Sequence, residues 1–447
     1  MNRFHVVDDF QSWGRVVKAQ HRVAVPHWRD ELQGLVATAV GKDQPLLAAG
    51  LRRSYGDSVL NPAGAVIRMD QVSRMISLDR ENRLLRAEAG ASFDMLIPLL
   101  LENQLFLPVT PGTRFVTLGG AVANDVHGKN HHRNGSIGDW VRKLGLLRSD
   151  GREIILGPDD QSGLFRATIG GLGLTGLITW VELEVVPASN GYIDAETIAF
   201  GNLDEFFELS SRSDETHEYT VSWIDCMAGG LSTGRGLFVR GNHAKNGAAR
   251  PRAGNTRFSM PVELPTMCMN RYSISTFNKL YYWKGRLSRK NATVSLYPFF
   301  YPLDSIGHWN RMYGRGGMFQ YQSVVPPENQ RDATREMLNA IERGGQGSFL
   351  AVLKTFGHRK APGMISFPKP GTTLALDFPN HGPSTLALLD RLDDIVQEAG
   401  GRLYPAKDGR MSARMFQSGF ENWQAFSNHV DPGFSSLFWQ RVSYVGD

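Results

Sequence analysis

Three glycine-rich segments fall in the first 180 residues: Gly50–Ser58 (GLRRSYGDS), Pro111–Trp140 (PGTRFVTLGGAVANDVHGKNHHRNGSIGDW) and Gly170–Ile178 (GGLGLTGLI). Backbone stripped of side chains can approach a pyrophosphate closely and donate several amide hydrogen bonds to it. One such segment is ordinarily a turn, but three in one lobe point to a bound dinucleotide. The familiar nucleotide loops do not account for them. GLGLTG lacks the preceding strand, the following helix and the acid about 20 residues on that a Rossmann crossing requires, and no Walker loop occurs. The second segment also gathers His127, His131 and His132. A metal site needs carboxylates or thiolates at fixed spacing, and only Asp125 is near, so no metal is expected.

The elements that position these segments read as an α+β chain. Short strands are expected at 45–49, 65–69, 84–87, 141–147, 153–156 and 176–186, with a helix from Phe93 to Gln104 whose N-cap is Ser92 and whose apolar face is Phe93, Leu96, Leu99 and Leu100. A second helical stretch is expected at 162–168. From about residue 189 the texture changes to longer, aromatic-rich strands at 219–225, 236–240, 293–301, 319–325, 349–356 and 372–378, punctuated by helices at 329–343 and 383–399. This predicts a second domain built on an antiparallel sheet. The stretch 244–265, rich in Arg, Gly, Asn and Pro, reads as a mobile surface loop.

Composition bounds the rest. The 447 residues suit two or three domains, and 41% hydrophobic with 21% charged residues describes a folded globular chain. The net charge of +5 reads as a mild excess spread along the chain, which implies no nucleic acid and leaves an anionic substrate or a membrane surface open. Two cysteines, Cys226 and Cys268, build neither a disulfide framework nor a zinc cluster, so a reducing compartment is expected. The N-terminus shows no apolar signal region and no run reaches the roughly 20 residues of a membrane span. A cytoplasmic protein is expected, with any contact to the inner membrane peripheral.

The order of Gly-x-x-Arg-Ser-Tyr-Gly-Asp, PGT, GGAVAxDxHGKNHH, GSxGxxV and LFxATxGGxGLTGxI resembles the FAD-binding lobe of the vanillyl-alcohol-oxidase-like (PCMH-type) flavoproteins. Within that family it looks most like the branch that oxidises lipid-linked ribose. The likeness continues through FQYQSVVP (319–326), SFLAVLKTFG (348–357), LDFP (376–379) and GGRLYPAKDGR (400–410), covering nearly the whole chain. It implies a two-domain flavoprotein, with an FAD lobe at 10–188 completed by 400–447 and a substrate domain at 189–399. It also implies that Arg53, Ser54, Tyr55, Gly56, Gly112, Thr113, Gly119, Gly120, Ala123 and Ile178 cradle FAD, with His127, Gly128 and Tyr404 beside the flavin. Lys129, Gln322, Lys354, Asp377 and Lys407 then line the substrate side. Covalent relatives carry a flavin-linked histidine where Arg53 stands, so non-covalent FAD is implied, with both cysteines outside the cradle motifs. Two positions depart from the family pattern: Arg52 replaces a glycine, and Ala375 a cysteine found in mycobacterial members.

The activity implied is oxidation of the 2′-hydroxyl of a polyprenyl-phosphate-linked ribofuranose to the 2′-keto sugar, the first half of epimerisation to arabinose. Such chemistry moves a hydride to the flavin and a proton to a base. Lys407 and Tyr404, three apart in a Pro-containing loop, are the candidates, with His127 as a further one; Lys407 serves equally as a phosphate partner. Asp304 and Arg311, flanking Trp309, read as structural. A separate NAD(P)H-dependent reductase and an electron acceptor, quinone or oxygen, are implied partners. Two alternatives stand beside this reading: a soluble sugar or alditol oxidase of the same fold, and a flavin-binding scaffold subunit without catalysis of its own.

Overall fold

Runs such as Met318–Val325 (MFQYQSVV) and Gly371–Pro379 (GTTLALDFP) send alternate residues to opposite faces. Together with their neighbours they build an antiparallel eight-stranded sheet. Its order is Asn291–Ser295, Tyr192–Phe200, Gly236–His243, Tyr219–Ile224, Ala351–Phe356, Gly371–Pro379, Met318–Val325 and Arg402–Leu403. One face, carrying Phe238, Leu353, Leu374 and Leu376, is buried in a single core with residues of helices Leu203–Asp214, Gln330–Gly344 and Pro383–Glu398. The opposite face is left for the site. The structure is a computed structural model that describes residues 4–40, 44–245, 258–265, 268–288 and 290–443.

The N-terminal half carries two smaller sheets over one large apolar core. In the first, Ala65–Arg68 lies between His21–Ala24 and Leu46–Ala49, parallel to both, and helix Glu31–Val40 makes the crossover. The second is antiparallel, in the order Met75–Asp79, Leu84–Glu88, Leu177–Glu184, Val141–Leu147 and Glu153–Leu156. Residues beyond 400 touch both halves. Met411, Phe416 and Phe438 join the core of the large sheet, while Leu46 donates to Gly433 O and Arg441 pairs with Asp57 at 2.8 Å.

Most expected elements are present, and the Ser92 cap forms as read, its Oγ accepting from the Met95 amide. One reading is corrected and several elements are added. The strand expected at 293–301 divides into strand Asn291–Ser295 and helix Leu296–Phe300, because Ser295 caps the Tyr297 amide and turns the chain. Residues 118–123 are helical, capped by Thr117. Helices Glu31–Val40, Leu203–Asp214 and Arg271–Leu287 and strand Tyr192–Phe200 were not anticipated. Of the loop expected at 244–265, residues 246–257 lie outside the described residues, and Phe258–Ser259 pairs in parallel with Ile306–Gly307.

Candidate active site

The free face of the large sheet forms one wall of a cavity of about 1160 Å³. Pleating decides which residues reach it: Thr197, Val221 and Trp223, Val239, Val352 and Lys354, Thr373, Ala375 and Asp377, and Gln320 and Gln322 share that face at alternating positions and line the cavity. The other wall comes from the N-terminal half: segments 50–55, 110–117 and 119–129, together with Leu172, Gly173, Gly176 and Ile178. The 404–407 turn joins the two. Helix Arg271–Leu287 covers the apolar end, its Gly285 abutting Leu237.

All but one of the residues expected at the site line this cavity. Gly56 does not; a Cβ there falls 1.4 Å from Asp408 O, so this glycine exists to let two backbones touch. Gly119 and Gly120 line the wall, yet their amides are already used, by Ala89 O and Thr117 Oγ1. The open amides lie elsewhere. Among the described residues, the backbone N–H groups of Leu51, Arg52, Arg53 and Ser54, and of Gly112 and Thr113, donate to no protein acceptor, although buried or semi-buried amides ordinarily find one. A Cβ on Gly112 meets nothing within 4 Å. Arg52 takes the left-handed conformation (φ 54°) that a glycine adopts freely. Arg53 is held by its Nε donating to Phe115 O at 3.2 Å and by stacking over Trp13 at 4.0 Å.

Five cations, Arg52, Arg53, Lys129, Lys354 and Lys407, line the cavity against two carboxylates, Asp304 and Asp377. Asp304 is taken by the Arg114 amide at 2.9 Å, so it does more than brace a loop: it fixes the 110–115 wall. Lys129 Nζ donates to Phe299 O at 2.8 Å and Lys354 Nζ to Gly128 O at 3.0 Å. Burial pushes Lys129 down to about 8; burial and the neighbouring Lys129 and Lys407 push Lys354 down to about 7. Lys407 lies over the Tyr55 ring, 4.1 Å from its centroid, with no hydrogen bond from its Nζ among the described residues. Burial lowers Lys407 and raises Asp377, and the attraction between the two opposes both shifts. Asp377 Oδ1 accepts from Gln320 Nε2 at 2.5 Å.

The other two acid–base candidates are differently employed. Tyr404 stacks on Phe367 with centroids 4.6 Å apart and its hydroxyl donates to Asn124 O at 2.8 Å, while burial raises its pKa. Its phenol is a brace. His127 faces Gln322 Nε2 across 3.0 Å, and burial, followed by the charges of Lys354, His131 and Lys407, holds its pKa well below the usual histidine value. A neutral ring receiving the Gln322 amide at Nε2 carries its proton on Nδ1, which has no partner. It is a poor base. Among the described residues no group of three or more His, Cys, Asp or Glu is placed to hold a metal. Trp13, Gln320 and, from helix Arg271–Leu287, Ser273, Ile274, Phe277 and Tyr281 line the site without having been anticipated, and Cys268, expected outside the cradle, lines the cavity. Period-2 alternation in the three strands that carry Gln320, Lys354 and Asp377 is a signal for the second; nothing local marks Trp13.

Unpaired amides along a glycine wall, with surplus positive charge in a cavity larger than the ~300–1,000 Å³ usual for small ligands, fit a dinucleotide phosphate beside a second anion. A family model described as an FAD binding domain matches residues 21–157. The protein is an FAD-dependent oxidoreductase. A decaprenylphosphoryl-β-D-ribose oxidase of Mycolicibacterium smegmatis is 38% identical over 403 residues, covering 87% of this chain and 86% of the relative. An uncharacterized protein of Streptomyces coelicolor is 31% identical over 77% of this chain and 96% of its own, and mouse L-gulonolactone oxidase 25% identical over 40% of each. The chain belongs to the decaprenylphosphoryl-β-D-ribose oxidase family.

Proposed function

We propose that this protein oxidises the 2′-hydroxyl of a polyprenyl-phosphate-linked ribofuranose to the 2′-keto sugar, the first half of an epimerisation to arabinose. The observation that carries the proposal is the composition of the cavity: a cluster of half-buried lysines (Lys129, Lys354 and Lys407) lining the same cavity as an apolar arm of Val221, Trp223, Val239 and Val352. An anionic headgroup and a hydrocarbon chain need that pairing, whereas a small polyol needs neither. The name of the relative from M. smegmatis points the same way.

FAD, when bound, supplies the two-electron acceptor for alcohol oxidation. We assign it to residues 10–188 and 400–447, held without a covalent bond through the open amides of 51–54 and 112–113, and the substrate to 189–399. Lys129 and Lys354 each spend one N–H on a carbonyl and keep two for the phosphodiester. Lys407, uncommitted and with its pKa lowered, takes the hydroxyl proton. Gln322 sets the tautomer of His127, whose Nδ1–H is enclosed without a protein partner. Tyr404 fixes the turn that carries Lys407. The keto product passes to a separate NAD(P)H-dependent reductase, and quinone or oxygen recovers the electrons. We place the enzyme in the cytoplasm, peripheral to the inner membrane; among the described residues no helix is long and apolar enough to cross one.

Anaerobic addition of a polyprenylphosphoryl ribose to the yellow holoprotein tests this: the flavin absorbance bleaches and a keto sugar appears, while alditols leave it yellow. Bleaching by alditols alone returns the protein to the soluble sugar oxidases, and bleaching by neither leaves a scaffold subunit.

A further inference from the structure

The helix Arg271–Leu287 is inverted relative to an ordinary surface helix. Ile274, Asn278 and Tyr282, four apart, face the protein, and the opposite side carries Tyr272, Leu280, Trp283 and Leu287 at 82, 67, 49 and 83% exposure. A contiguous outward apolar stripe marks an interaction surface. Lys279, Lys284 and Arg286 flank it, making no ion pair among the described residues, and the helix contains no acid. The surrounding sequence repeats the pattern: residues 226–303 hold twelve Lys and Arg against a single acid, Glu263. Along the sequence, the positive charge read above as spread along the chain is denser in this stretch; among its described cations, Arg235, Arg240 and Arg271 pair with Asp225, Glu196 and Glu342. The same helix borders the cavity, since Phe277 and Tyr281 line it while staying 47 and 43% exposed. Phe258, 56% exposed, pairs with Ile306, another lining residue.

We propose that this face seats the cavity mouth on an anionic lipid bilayer. Aromatic and leucine side chains between basic flanks are the pattern of a helix lying in the headgroup plane, and the positive charge complements lipid phosphates. The proposal rests on the lipid-linked reading of the substrate. A mouth resting on the membrane lets the sugar phosphate reach the lysines while its chain leaves the bilayer along the apolar arm. A substrate of that kind never crosses water.

Flotation of the FAD-loaded protein with phosphatidylglycerol–phosphatidylcholine vesicles tests it. The wild type floats with anionic vesicles and less with pure phosphatidylcholine. The triple variant Lys279→Gln, Lys284→Gln, Arg286→Gln loses about a hundredfold in partitioning, at roughly fivefold per cation. The double variant Leu280→Ser, Trp283→Ser loses at least about tenfold, whereas Ile155→Ser, exposed on the edge strand Glu153–Leu156, floats as the wild type does. FAD content and flavin reduction by detergent-dispersed substrate stay unchanged in all of them, which separates docking from chemistry. Flotation without substrate bleaching removes the functional reading and leaves the surface; bleaching without flotation removes the surface alone. A wild type that does not float, variants that float equally, or an apolar double variant that instead turns a dimer into a monomer overturns the proposal.

Discussion

Replacing Asp377 by Asn removes one charge and little else. The asparagine oxygen keeps the bond from Gln320 Nε2, and the backbone amide of residue 377 still donates to Ser348 Oγ at 3.1 Å. What disappears is the carboxylate that holds Lys407 protonated against burial. An opposite charge at short range moves a pKa by about 1–3 units, and each unit is 1.36 kcal/mol, a factor of ten. The sign follows directly: without Asp377, burial alone acts on Lys407, and its proton leaves at a pH lower by about one unit or more. If uncharged Lys407 accepts the hydroxyl proton, kcat/KM rises with pH as Lys407 deprotonates. The acid limb then moves to lower pH in Asp377→Asn, and on that limb the variant outpaces the wild type by up to about tenfold. Anaerobic stopped-flow reduction of the flavin across the limb measures this, free of reoxidation. Lys407→Met, of similar length without a proton acceptor, keeps FAD and loses about 10²–10⁴ in reduction rate. A limb that stays in place or moves upward in Asp377→Asn, or a Lys407→Met enzyme as fast as the wild type, refutes the reasoning.

Tyr404→Phe keeps the stack on Phe367 and loses the bond to Asn124 O, so stability falls by about 1 kcal/mol in thermal melts while flavin reduction stays within about tenfold; a loss as large as that of Lys407→Met returns Tyr404 to proton transfer. Gly56→Ala drives a Cβ into Asp408 O and costs roughly 3 kcal/mol or more, read as lost soluble yield or melting temperature. Gly112→Val, at a position with open space, leaves the melting temperature of the apoprotein in place and lowers FAD content; a variant retaining full FAD moves the cradle away from residues 112–113. Acid precipitation releases FAD to the supernatant, because Arg53 stands where covalent relatives have histidine; flavin on the pellet points to Cys268 or a cavity histidine as an attachment point.

What could be read from the chain was whatever depends on local pattern. The glycine segments, the Ser92 cap and the alternation of FQYQSVV are nearest-neighbour physics, and each lies where it was expected. Roles that depend on a partner far along the chain were not legible. Tyr404 looks like a proton acceptor until Asn124, 280 residues away, is seen to take its hydroxyl. Gly56 looks like a phosphate glycine until Asp408 is found against it. Gly119 belongs to a glycine motif, yet its amide goes to Ala89. The helix Arg271–Leu287 was missed because its apolar stripe faces outward, blurring the single-sided pattern that marks a surface helix.

In the proposed reaction the 2′-carbon of a lipid-linked ribose loses its hydrogen in this cavity. The most direct test is single-turnover anaerobic reduction with polyprenylphosphoryl ribose deuterated at C2′. Bleaching is then slower than with the unlabelled sugar, and the keto product has lost the deuterium. A product that keeps the C2′ deuterium, or flavin that stays oxidised with this substrate, contradicts it.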